Sequence, residues 1–118
     1  MSKIKSKKTI EKEMNDIWSL KVRERDNFTC QICGKKIEKK HAHAHHIIPR
    51  QFRGLRWEVN NGITLCFAHH KVGMYSPHQN AIWFFGWMNE HKPIQLKFCI
   101  DKLKEVSRKN ESSINTTE

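Results

Sequence analysis

The sequence lacks any long apolar run. Its most hydrophobic stretch, residues 81–88, is far shorter than the roughly 20 apolar residues that span a bilayer. The Lys-rich start, residues 1–8, is not followed by the apolar segment that a secretory signal contains. We therefore expect neither a membrane segment nor an export signal, and a reducing, cytoplasmic location.

Acidic residues are also scarce. The chain of 118 residues has 12 Asp and Glu against 22 Lys and Arg, which gives a net charge of +10. Such an excess suits a polyanionic partner, above all nucleic acid. A chain this short forms one domain with a modest core, so a bound structural metal would add stability that packing alone does not supply. We expect a basic flexible tail over residues 1–8, a single domain over residues 9–109 and a disordered polar tail over residues 110–118.

Cysteines are few, and without an export signal they are better explained as metal ligands than as disulfides. Cys30 and Cys33 form a C-x-x-C pair, and Cys66 and His69 repeat the same two-residue gap. Two ligands at this spacing can reach one ion, and three thiolates with one imidazole complete a tetrahedral zinc site. The spacing therefore predicts a closed, structural zinc site. Cys99 stands alone and is expected to be buried in the core.

Two other zinc motifs are absent. A DNA-reading zinc finger needs a second histidine roughly four to six residues after His46, where this chain has Arg50, Gln51 and Phe52. A zinc deaminase needs H-x-E and P-C-x-x-C, and the sequence has neither. The histidines outside the predicted zinc site are therefore candidates for a different kind of site.

The pattern of apolar residues predicts helices on both sides of this region. Thr9 is a plausible N-cap for the first helix, which should end at Asp26 and Asn27. Ser76 followed by Pro77 predicts the start of a second helix, and Pro93 that of the last. The apolar stripe of the first helix consists of Ile10, Met14, Trp18 and Val22, with Ile17 beside it.

Between the two pairs of zinc ligands, alternation over residues 37–48 predicts a strand. Residues 60–62 predict a turn, residues 63–65 a second short strand, and a helix should begin near Cys66. Four histidines fall in the first strand, with His41, His43 and His45 on one face and His46 on the other. Of these, we expect His41 and His43 to be solvent-facing or spacer residues.

Three sequence blocks, in this order, resemble the HNH endonuclease family in its zinc-knuckle branch, the ββα-metal nucleases. The blocks are VRERDNFTCQICG at 22–34, HHIIPR at 45–50 and NGITLC at 61–66. The resemblance covers roughly residues 16–72, with a motif core over 28–73, and is closest in type to phage and mobile-element proteins. It implies an α+β fold: a ββα-metal core stapled by a structural zinc, with an N-terminal helix and C-terminal helices packed around it.

The resemblance also implies roles for individual residues. His46 would be the general base, and Asn61 would fix the loop that carries it. His45 and His70 would hold one catalytic divalent metal, either Mg²⁺, Mn²⁺, Ni²⁺ or Zn²⁺.

One departure from the family pattern leaves a choice open. We call the ligand pairs Cys30/Cys33 and Cys66/His69 the first and second knuckle. The second knuckle of the family usually ends Cys-His, whereas this chain has His69 and His70. Either of these could therefore be the zinc ligand, and His78 is the reserve ligand for the catalytic metal if His70 faces the zinc.

The implied activity is metal-dependent hydrolysis of DNA phosphodiester bonds, with 5′-phosphate and 3′-hydroxyl products. Neutral imidazole, with a pKa of about 6.5, can accept a proton from water near neutral pH. We expect phosphate contacts from Arg50, Arg53, Arg56 and Lys71. The alternative is a non-catalytic, zinc-stapled DNA-binding module, or a partner module of a larger DNA-processing complex. The sequence leaves open whether the protein acts with a partner protein or as a homodimer.

Overall fold

The computed structural model describes residues 4–115, with side chains as far as residue 107. It combines helices with a two-stranded antiparallel sheet, which confirms the α+β expectation. In chain order the elements are α1 (Lys7–Arg25), β1 (His43–His46), β2 (Gly62–Leu65), a helical turn (Ala68–Val72), α2 (Ala81–His91) and α3 (Pro93–Asn115). Within the described residues, no helix has both the length and the apolar character needed to cross a membrane.

The sheet places the histidines of β1 beside the second knuckle. β1 pairs with β2 so that His43 lies opposite Leu65 and His46 opposite Gly62. β1 is shorter than the predicted strand over residues 37–48, because residues 39–41 form a tight helical turn before it. His41 therefore does not continue the face that His43 and His45 share.

α1 packs across this sheet at one point of very close approach. Trp18 and Val22 are buried there, and a Cβ on Gly62 would collide with both side chains. Ile10, at the start of the predicted apolar stripe, is about half exposed. The reason is length: 19 helical residues span about 28 Å, whereas a four-residue strand spans about 13 Å. The N-terminal half of α1 therefore extends beyond the sheet.

The ends of α1 differ from the prediction at one side only. The side chain of Ser6, not Thr9, is the N-cap, because Ser6 Oγ accepts a hydrogen bond from Thr9 N at 3.2 Å. Lys7 and Lys8, which were assigned to a flexible tail, are therefore helical, and residues 1–3 of that tail lie outside the described residues. The helix ends at Arg25, as predicted.

The second predicted helix start was wrong. Ser76 is buried in a turn, where its hydroxyl donates to Gly73 O and its carbonyl accepts from Asn80 N. Asn80 is instead the N-cap of α2, with Oδ1 accepting from Trp83 N at 3.0 Å. This shift leaves residues 73–80 as a loop that crosses back towards the sheet.

α3 begins at Pro93 as predicted and continues to Asn115. Residues 110–115, expected to be disordered, are therefore helical, while 116–118 lie outside the described residues. Cys99 is buried, in agreement with its predicted core position. The α2–α3 pair closes the core over the sheet and the first knuckle, through Cys30, Ile63, Leu65, Phe84, Met88 and Leu96.

Candidate metal centre and active-site cleft

The four predicted zinc ligands converge. The ligand atoms of Cys30, Cys33, Cys66 and His69 all lie within 4.8 Å of one another; we call this group the thiolate cluster. Nδ1 of His69 is 3.2 Å from Cys66 Sγ and 3.8 Å from Cys30 Sγ. These distances suit the edges of a tetrahedron with Zn–S bonds of about 2.3 Å and Zn–N bonds of about 2.0 Å. The donor set therefore fits a structural zinc.

Backbone hydrogen bonds shape the first knuckle. Gly34 has a φ of 74°, which favours glycine, and its N–H donates to Cys30 O at 2.8 Å. Cys30 N donates to Lys35 O at 2.9 Å, and Gln31 N donates to Thr64 O at 3.0 Å. The last of these bonds ties the knuckle to β2. The thiolate cluster is thus held by the same network as the sheet.

A bound cation would favour the ionised form of the thiols in this cluster, which burial and neighbouring negative charge oppose. Burial alone would raise the pKa of the Cys30 thiol, but backbone N–H groups of neighbouring residues donate to its sulfur and lower that pKa overall. The pKa of Cys66 is raised, first by burial and then by the negative charge of Cys30. Two thiolates this close repel each other, so full ionisation requires a positive ion between them.

A second group of ligand atoms lies on the other side of the same helical turn. His45, His70 and His78 have ring nitrogens within 4.8 Å of one another; we call this group the imidazole cluster. Nε2 of His70 is 3.1 Å from His45 Nδ1 and also 3.1 Å from His78 Nε2. His78 comes from the 73–80 loop. The reserve ligand thus joins the predicted pair and does not replace either member.

Two rings of the imidazole cluster are neutral, so their lone pairs are available for a cation. Burial, followed by the neighbouring histidines, lowers the pKa of both His45 and His70 to about 3. The rings therefore remain neutral at physiological pH, which is the form that binds a cation. Three imidazoles fit an open divalent-metal site, and among the described residues no fourth protein donor belongs to this group.

The choice between the two adjacent histidines is resolved by helical geometry. Successive residues on a helical turn point in different directions around its axis. On the turn Ala68–Val72 this difference directs His69 into the thiolate cluster and His70 into the imidazole cluster. His70 is also buried, whereas His69 is partly exposed.

His43 lies elsewhere than its sequence suggested. We expected it to be a solvent-facing or spacer residue, but its Nδ1 is 2.9 Å from Nδ1 of His70. The alternation of β1 explains this contact, since His43 and His45 share a face. His41 does face solvent, with 66% of its side chain exposed.

His46 occupies the opposite face of β1. Its ring stacks on Trp18 with centroids 3.8 Å apart and planes 8° from parallel. Its Nε2 donates to the carbonyl oxygen of Arg56 at 2.9 Å, which leaves Nδ1 as the proton acceptor of the ring. Burial lowers the pKa of His46, and the charges of Arg50 and Arg56 lower it further, against the opposing effect of the Arg56 carbonyl. A neutral, oriented imidazole results.

Asn61 is fully buried and joins the two ends of the loop that follows His46. Its Oδ1 accepts from Ile48 N at 2.7 Å, and its Nδ2 donates to Ile48 O at 3.0 Å and to Leu55 O at 3.1 Å. These three bonds fix the path of residues 48–55. This geometry is what the implied role of Asn61 requires.

A cleft of about 470 Å³ connects the candidate residues. Its walls include His46 and the complete imidazole cluster, together with Arg50, Gln51 and Lys71. Two of the four predicted phosphate contacts therefore border the cleft. The other two, Arg53 and Arg56, do not line it.

The Arg56 side chain is largely buried and contacts the loop. Its side chain is only 14% exposed, its Nε donates to Arg50 O at 2.8 Å, and its Nη1 is 3.7 Å from Glu11 Oε1. These contacts brace the loop, and a DNA contact by Arg56 stays a prediction. Arg53 also approaches Glu11, at 3.6 Å, but remains 65% exposed.

A known family matches the region that holds most of the candidate metal ligands. The model of the HNH endonuclease family matches residues 30–71, which include both knuckles, both strands and all but the last residue of the helical turn. The comparisons with curated proteins and with solved structures gave no match. Residues 30–71 match the HNH endonuclease family, which confirms the predicted resemblance of the chain to that family.

Proposed function

We propose that this protein is a metal-dependent endonuclease that hydrolyses DNA phosphodiester bonds. The observation that carries the proposal is that one cleft holds both the imidazole cluster and His46. A cation site and a separate proton acceptor are the two groups that hydrolysis of a phosphodiester needs. The HNH domain supports the same assignment.

In this mechanism His46 acts as general base. Its Nδ1 takes a proton from a water molecule, whose oxygen attacks the phosphorus while the bond to the 3′ oxygen breaks and that oxygen takes a proton from solvent water. The products are a 5′-phosphate and a 3′-hydroxyl. The Arg56 carbonyl holds the ring in the required tautomer, and the Trp18 stack holds its plane. A divalent cation on the imidazole cluster would supply Lewis-acid stabilisation of charge on the phosphoryl and leaving oxygens.

The charge of the protein supports DNA as the substrate. Arg50 and Lys71 stand at the walls of the cleft, where they can contact the phosphates on either side of the scissile bond. The net charge of +10 favours association with a polyanion. Asn61, by fixing residues 48–55, keeps Arg50 in position, and its backbone carbonyl accepts from Ile47 N, next to the base, at 3.1 Å.

Plasmid nicking tests the proposal. Zinc-loaded protein is incubated with supercoiled plasmid and Mg²⁺, Mn²⁺ or Ni²⁺, with EDTA as the metal-free control. We expect His46→Ala to lower the nicking rate about 10²–10⁴-fold, the usual contribution of a positioned base. His41→Ala is the matched control, because this exposed histidine lies outside the cleft, and it should cleave like the wild type.

Circular dichroism and zinc content verify that His46→Ala is folded, since the substitution also removes the stack on Trp18. Salt-sensitive DNA binding without cleavage under every metal would contradict the nuclease proposal. That outcome would favour a zinc-stapled DNA-binding module. Cleavage only with an added protein would favour the role of a partner in a larger complex.

A further inference from the structure

His43 is a partly buried histidine that the proposed mechanism does not use. It is the first residue of β1 and lies two positions before His45 on the same strand face. Its ring meets that of His70 edge to face, with centroids 5.1 Å apart and planes at 89°. The two Nδ1 atoms are 2.9 Å apart, which is a hydrogen-bond distance.

In a hydrogen bond between two neutral imidazoles, one ring donates its proton and the other accepts it with a lone pair. Which ring donates decides which nitrogen of His70 carries the proton. If His43 donated, Nδ1 of His70 would be the acceptor and the single proton of His70 would sit on Nε2. Nε2 is the atom that lies 3.1 Å from both His45 and His78. His70 could then not contribute a lone pair to the imidazole cluster.

The opposite direction leaves the cluster complete. If His70 donates from Nδ1 and His43 accepts at Nδ1, Nε2 of His70 is deprotonated and faces the other two ligands. In metal sites, a ligating histidine almost always donates its second ring N–H to an acceptor that fixes its tautomer and orientation. The only nitrogen within hydrogen-bond distance of Nδ1 of His70, among the described residues, is that of His43.

We propose that His43 is a positioning residue for the divalent-metal site, accepting the Nδ1–H of His70 and thereby directing the lone pair of His70 Nε2 at the cation. The inference rests on the proposed function, because it concerns the metal used in cleavage. His43 is not a further ligand in this arrangement. Its Nδ1 meets the ring nitrogen of His70 that points away from the imidazole cluster, and His43 lies outside that cluster.

Packing alone is the competing explanation, since His43 also contacts Phe67, with ring centroids 5.8 Å apart. Two substitutions separate the explanations. His43→Phe keeps an aromatic ring at this position but cannot accept a hydrogen bond. His43→Asn loses the ring but can place its Oδ1 close to the position of Nδ1.

The test is a titration of Co²⁺ into zinc-loaded protein, followed by calorimetry and visible absorption. A sulfur-to-cobalt charge-transfer band would show exchange into the thiolate cluster, so its absence confines the measurement to the imidazole cluster. We expect His43→Phe and His43→Ala to weaken Co²⁺ binding about 10–100-fold. His43→Asn should recover most of this loss, and His41→Ala, two residues earlier, should bind Co²⁺ like the wild type.

The outcomes separate this inference from the proposed function. Unchanged Co²⁺ affinity in His43→Phe, or an Asn variant as weak as the Ala variant, would overturn the positioning role while leaving the metal site in place. Failure of the wild type to bind Co²⁺ outside the thiolate cluster would overturn both. Zinc content and the melting curve of each variant exclude loss of the fold as the cause.

Discussion

The thiolate cluster and the imidazole cluster share one helical turn but are built on different principles. The first takes its donors from two knuckles, and the backbone of the first knuckle is hydrogen-bonded to the sheet through Gln31 and Thr64. The second takes its donors from a strand, a turn and a loop, and it opens on a cleft. Negative thiolates need the cation to coexist, whereas neutral imidazoles do not. On the proposed function, one ion completes the fold and the other serves DNA cleavage.

The largest expected effect comes from breaking the thiolate cluster. Cys30→Ser should abolish zinc binding and cooperative folding, since structural zinc sites contribute about 10–16 kcal/mol of apparent binding energy in small peptides. Zinc analysis and thermal melting by circular dichroism measure both effects. Cys99→Ala is the control, because Cys99 is equally buried but lies outside the thiolate cluster. A folded, zinc-containing Cys30→Ser protein would contradict the structural role.

The second prediction uses the two adjacent histidines to sharpen the comparison. His69→Ala should lose zinc and melt at a lower temperature, because it removes a ligand of the thiolate cluster. His70→Ala should keep its zinc and a cooperative transition, yet fail to bind a second cation and fail to nick plasmid. Zinc content, Mn²⁺ calorimetry and nicking are compared in parallel. The reverse pattern would mean that the two rings are assigned to the wrong ions.

The smallest effect is expected at the walls of the cleft. Arg50→Ala should weaken DNA binding and reduce the slope of log K against log salt by about 1, as for the loss of one phosphate contact. Arg53→Ala should change the slope less, because Arg53 approaches Glu11 and does not line the cleft. Fluorescence anisotropy in a His46→Ala background without divalent metal measures binding alone. Equal slopes for the two variants would contradict this placement of the DNA.

The sequence predicted the parts of the site that depend on local spacing. Cys30 and Cys33 converge because a C-x-x-C turn needs only its own backbone. His45 and His46 point to opposite faces because strands alternate. The family resemblance supplied the pairing of Asn61 with the loop after His46, and the structure adds the hydrogen bonds that make that pairing.

The parts that the sequence did not predict depend on the path of the chain in space. Ser76 and Pro77 resemble a helix start, but the hydroxyl of Ser76 closes a turn instead, and that turn brings His78 to the imidazole cluster. Arg56 looked like one of several exposed cations until the position of Glu11 was known. His43 is different, since alternation already put it on the face of His45. Its partner, His70, could not be identified without the register of β1 and β2.

The position of His69 and His70 on one five-residue turn has a consequence for when this protein can act. A chain that has not yet acquired zinc has no anchored turn, so it cannot present His70 to a second ion. On the proposed function, newly made protein would stay harmless to DNA until zinc reached it. The supply of zinc would then decide when the protein can begin to cleave DNA.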